Sequence, residues 1–163
     1  MRLRERNKDK SEDIQEPVKT GFRGNTFRFD TPEGWQDMTV YTIAGPVEDD
    51  MQHNIVVNIA YDLDADSVTT LGKLQIETLE AQLQGLRILK HGEITLNNGQ
   101  EAYEVIFRWE PTNYGKLYQK QIYVLSGKTA YTLTTTFTRK TRKTKGPLIN
   151  RIMMSFELDE GDE

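Results

Sequence analysis

The chain has 163 residues, enough for one hydrophobic core, and its formal net charge of -4 lacks the basic excess of an electrostatic nucleic-acid binder. Cysteine is absent, which excludes disulfides, thiolate nucleophiles and Cys-ligated zinc or iron–sulfur sites. No run approaches the ~18 to 20 apolar residues of a membrane span, and the basic opening leads into Ser11-Glu12-Asp13 instead of a leader's apolar stretch, so a cytoplasmic protein is expected.

Residues 1–24 are rich in charge and poor in apolar side chains, and are read as a flexible arm. Phe27 and Phe29 alternate with polar neighbours as a half-buried strand over 26–30, and Pro32 and Gly34 turn the chain toward Trp35. Strands are expected at 38–44 and 54–60, separated by a loop containing Gly45-Pro46 and Glu48-Asp49-Asp50. From Asp66 the period becomes helical. Val68, Leu71, Gly72, Gln75, Ile76, Leu79 and Leu83 share one side, with Asp66 or Ser67 as N-cap and Gly85 placed to end the helix.

Strands return at 87–96 and 100–109 around the hairpin turn Asn97-Asn98-Gly99, then at 116–126 and 129–138 around Ser126-Gly127-Lys128. A short helix entered at Pro147 carries Ile149, Ile152 and Met153, and an acidic tail occupies 158–163. Three strands, a helix, four strands and a helix predict an α+β fold with a largely antiparallel sheet of about seven strands.

Alternation divides the sheet into two faces. Ile55, Val57 and Ile59 form a continuous apolar set that should meet the helix, and the same split in 129–138 sets Tyr131, Leu133 and Phe137 against the threonines. The other set is mixed and small: Val40 and Thr42, Asn54, Val56, Asn58 and Ala60, Ile106 and Arg108, Gln119 and Gln121, and Thr132, Thr134, Thr136 and Thr138. It reads either as plain solvent-facing sheet or as a docking surface.

Catalytic and metal chemistry find little support. Asp62-Leu63-Asp64-Ala65-Asp66 opens like a calcium loop, but Ser67 stands where Gly is needed and Lys73 where Glu is needed. A polar loop capping a helix is the better reading. His53 and His91 have no neighbouring ligands in sequence, and no metal or cofactor is expected. Ser126 lacks nucleophile-elbow context, nothing forces Glu101 and Glu104 into an acid–base pair, and no glycine-rich phosphate motif occurs. The run Thr138 to Lys145, with Arg139, Lys140, Arg142, Lys143 and Lys145, is the one argument for an anionic partner; its simpler reading is a solvated link. Tyr114, Tyr118, Tyr123 and Tyr131 suit a sheet as well as base stacking.

Thr31-Pro32-Glu33-Gly34-Trp35-Gln36-Asp37, Asn54-Ile55-Val56-Val57, Tyr118-Gln119-Lys120-Gln121-Ile122-Tyr123 and Tyr131-Thr132-Leu133-Thr134-Thr135-Thr136 together resemble the DcrB-related family, with its PsbP-like α/β/α fold, over residues 25–157. Within it the chain looks most like the Eag chaperones encoded beside type VI secretion effectors; the missing lipobox Cys and signal separate it from the exported lipoprotein branch. The resemblance implies a homodimeric, non-enzymatic cytoplasmic adaptor that shields an effector's N-terminal apolar helices before loading onto the secretion spike, the spike protein being a further partner. It implies no nucleic acid and no membrane insertion. The family grips such helices through apolar second- and third-strand residues on a concave sheet surface, matched here by Val40, Thr42 and Val56, with Thr42 a polar departure. With the mixed face, the expected client-binding set is Val40, Thr42, Val56, Asn58, Ile106, Gln121, Thr134 and Thr136. Two alternatives compete: an accessory or regulatory subunit of a larger assembly, and a ligand-binding module or enzyme using a pocket with Arg108, Glu104 and His91.

Overall fold

The computed structural model describes residues 21–113 and 115–159, which divide into two compact units. The expected arm over 1–20 and the last four residues of the acidic tail lie outside the described residues. In the first unit, β1 (Phe22–Arg23) pairs antiparallel with β2 (Arg28–Phe29), so the strand pairing begins inside what the composition reads as arm. Gly24 N–H donates to the Phe27 carbonyl (2.8 Å) to close the turn, and the rings of Phe22, Phe27 and Phe29 stack edge and tilt at 5.7–6.4 Å. Phe27 and Phe29 are mostly exposed, not half-buried.

The second unit is a six-stranded antiparallel sheet in the order β3-β4-β8-β7-β6-β5 with three helices. Its strands are β3 (Val40–Glu48), β4 (Met51–Ala60), β5 (Arg87–Thr95), β6 (Glu101–Trp109), β7 (Leu117–Ser126) and β8 (Thr129–Phe137). The expected loop at Gly45-Pro46 is strand instead. The chain absorbs Pro46 in a register shift between Ala44 and Val47 on the edge strand, where a missing N–H is tolerated, and turns only at Asp49-Asp50, both at positive φ.

Helix α1 (Val68–Gln82) starts at Ser67, whose hydroxyl accepts from Thr70 N–H (3.1 Å). Its Leu71 and Leu79 pack with Tyr103, Val105, Phe107, Tyr123 and Ala130 in one core layer. The opposite layer joins Ile55, Ile122, Val124, Leu133 and Phe137 to Ile149 and Met153 of α3 (Gly146–Met154). Ile55 and Val57 therefore meet the C-terminal helix and not α1, which packs on the opposite face over β5, β6 and β7. Pro147 sits in the first turn of α3, as its missing N–H allows. The basic run is not a link but a further helix, α2 (Arg139–Thr144), closed at its start by a reciprocal capping box between Thr138 and Thr141. Leu158, assigned by sequence to the tail, packs on the α3 layer.

Candidate functional site

Strand registers decide which predicted residues meet. Thr42 pairs with Val56, Val56 with Thr134, Thr134 with Gln121 and Gln121 with Val105, so one row crosses five strands on a single face. Val40 pairs with Asn58 on the same face, and Thr136 lies beside Gln119 one step along. Val40, Thr42, Val56, Asn58, Gln121, Thr134 and Thr136 are thus brought together. Ile106 is not. It pairs with Lys120, which pairs with Thr135 and then Ile55, and so emerges with Arg108 on the face of α3. The cause is the phase of β6: its apolar set, with Val105 and Phe107 fully buried against the α1 layer, takes the face that Ile106 is expected to share, and the mixed set of Glu104, Ile106 and Arg108 turns to the other side.

The position of α1 defines the site. It lies over β5, β6 and β7, held close by Gly72, and among the described residues no helix covers the same face of β3 and β4. The remaining surface carries small and hydroxylated side chains: Val40, Thr42 and Ala44, then Val56 and Asn58, then the Thr row of β8. Val40 and Asn58 are exposed; Val56, Thr134, Thr136 and Gln121 are half-buried.

A polar network borders this strip on the α1 side. Trp109 Nε1–H donates to Gln119 Oε1 (2.7 Å), and Gln119 Nε2 donates to Thr136 Oγ1 (2.9 Å). In parallel, the Tyr123 hydroxyl donates to Gln121 Oε1, and Gln121 Nε2 donates to Thr134 Oγ1 (3.3 Å). Both amides are thereby oriented with their donors toward the threonines. Burial pushes the Tyr123 phenol pKa up, which keeps it a donor. The glutamines are legible in the sequence, and Tyr123 stands two residues from Gln121 on the same strand; Trp109 is not legible as a partner, because it reaches Gln119 from the neighbouring strand β6.

The alternative pocket does not assemble. His91 Nδ1 bonds the Tyr103 hydroxyl (2.7 Å) on the α1 face, whereas Glu104 and Arg108 belong to the other, where Glu104 is buried between Lys90 (3.1 Å) and Lys120 (3.2 Å). His53 is buried against Phe137, with Nε2 bonded to Thr141 Oγ1 at 2.8 Å. Among the described residues no three His, Asp or Glu side chains cluster as a metal site requires. No described helix is long and apolar enough to cross a membrane.

A model of the DcrB family matches residues 28–155. None of the curated proteins matches the sequence significantly. Among solved structures, PA94 of Pseudomonas aeruginosa, a protein of unknown function, superposes with a TM-score of 0.71 at 18% identity, covering 85% of this chain and 96% of its own. Cyanobacterial PsbP (CyanoP) of Synechocystis sp. PCC 6803 superposes with a TM-score of 0.50 at 13% identity, covering 80% and 85%. At these identities the likeness is one of fold.

Proposed function

The chain belongs to the DcrB family, and from that premise we propose that it is a non-enzymatic chaperone that holds the apolar N-terminal helices of a type VI secretion effector on the open face of β3, β4 and β8. One observation carries the reading: Val40, Thr42, Val56, Asn58, Thr134 and Thr136, from three strands, share one face that α1 leaves free, with Gln121 of β7 at its border. The dimensions suit a helix. The three open strands span two interstrand steps of about 4.8 Å, roughly 10 Å between their axes, against about 10–12 Å for a helix with its side chains. A strand of the length of β4 runs about 33 Å, close to the ~30 Å of a membrane-spanning helix.

The chemistry suits it too. A transmembrane segment in water gains about 25 cal/mol for each Å2 of apolar surface it buries. Small side chains let a helix backbone approach closely, and the threonine hydroxyls answer polar groups on the client. Dimerisation and loading onto the secretion spike enter this proposal only as what the resemblance implies. The test is co-expression with the effector's N-terminal region and affinity capture. A soluble complex that disappears when the apolar helices are deleted supports the reading. A folded protein that captures the deleted and intact regions equally overturns it and favours an accessory subunit.

A further inference from the structure

The basic run folds into a surface that the open face does not use. Of its cations, Arg142 stacks over the Tyr118 ring (4.8 Å) and Lys145 pairs with Glu48 (2.8 Å). Arg139, Lys140 and Lys143 are exposed, and among the described residues none of them has an ion-pair partner. All three line an open cleft of about 1170 Å3, joined by Lys116 at the start of β7, which has only a loose contact of 4.0 Å to Glu110. The lining also includes the β3–β4 turn with Asp49 and Asp50, and Asp49 is tied to the cap of α2 by the Thr138 hydroxyl (2.6 Å).

We propose that this cleft is a docking site for an acidic, extended segment of a partner protein. Four cations against two aspartates in one lining, in a chain of net charge -4, leave a local excess opposite in sign to the whole molecule. The cleft exceeds the roughly 300–1,000 Å3 of small-molecule pockets, which favours a length of chain over a small anion. The lining carries both signs. A polypeptide can place carboxylates on Arg139, Lys140 and Lys143 and present backbone N–H groups to Asp49 and Asp50, whereas a nucleic-acid backbone, negative at every step, meets both aspartates as like charges. The protein's own Glu157 does not cover these cations. It follows α3 at the opposite end of the sheet, where Asn97 of the β5–β6 turn bonds the Met154 carbonyl and Phe156 packs on Tyr131.

The experiment is fluorescence anisotropy of a short labelled peptide alternating Asp and Glu with Ser, titrated with the full chain. Saturable binding is expected, weakened about tenfold or more by the combined substitution R139E, K140E and K143E, and unchanged by R151E on the exposed side of α3. Raising salt from about 50 to about 300 mM should weaken it further. The milder pair K140A and K143A, checked by circular dichroism, separates lost charge from a disturbed α2. No saturable binding by the unaltered chain, equal affinity in the charge-reversed variant, or tighter binding of an oligothymidylate of equal length each overturns the proposal. Val56→Gln should retain peptide binding while losing the apolar client, so failure here and failure of the chaperone reading are read separately.

Discussion

Gly72 lies against the face of Tyr103 so closely that a β-carbon at position 72 would stand 2.1 Å from Cδ1 of the ring. This contact sets how near α1 comes to the sheet, and Tyr103 is itself held by its hydroxyl on His91 (2.7 Å). Neither partner can yield easily, because Tyr103 is buried under Leu71 and Leu79. Gly72→Ala gains helix propensity of about 1 kcal/mol but must displace a packed ring, so a net loss on the order of 2–3 kcal/mol is expected. Urea denaturation should show it as a lower midpoint with an unchanged slope.

The open face makes a discrimination between the two sides of the sheet. Val56→Gln places an amide where the client's apolar surface would lie, and an unpaired buried amide costs about 1–3 kcal/mol, so client affinity should fall roughly tenfold or more. Ile43→Gln, on the reverse face of β3 and exposed, should leave affinity unchanged. Equal losses in both variants, measured by capture of the effector's N-terminal region, would remove the face assignment.

Much of this arrangement was legible locally. The helix over 68–82, its Ser67 cap, the inward Gly72 and both hairpin turns of the second half follow from period and turn chemistry. So does the split of β8 into Leu133 and Phe137 against the Thr row. What alternation cannot supply is the phase between strands. Alternation groups Ile106 with Arg108 against Val105 and Phe107 but does not say which side each set takes, and only burial of Val105 and Phe107 on the α1 side decides. The same gap sent Ile55 and Val57 to the wrong helix. The α2 helix was hidden because its run of cations reads as solvated chain; its stability comes from the Thr138–Thr141 box and from Thr141 buried on His53, a contact 88 residues apart in sequence.

Glu104 is nearly buried and shares its carboxylate between Lys90, which is largely exposed, and Lys120, which is largely covered and also donates to Asn150 of α3. Removing Lys120 leaves the charge with one solvent-screened partner, and Lys120→Met should cost roughly 3 kcal/mol. In the Glu104→Leu background the same substitution should cost far less, because no buried charge is left behind. A double-mutant cycle by chemical denaturation that gives additive losses would show that the pair does not act as a unit.

Tyr123 ties the polar network to pH. Burial raises its phenol above the ordinary value of 10.0, so the folded protein keeps the proton that the unfolded chain gives up. The unfolded state then binds fewer protons than the native one above about pH 10, and stability falls as pH rises through that range. Below it the contribution is fully present. Tyr123→Phe removes the ionisation and also strands Gln121 Oε1 without its donor, so at neutral pH a loss of about 1 kcal/mol is expected. The decisive comparison is the slope of the melting temperature between pH 9 and pH 11, a window about the ordinary tyrosine value. The slope should be steep in the unaltered protein and shallower in Tyr123→Phe; equal slopes would place the alkaline sensitivity in other groups.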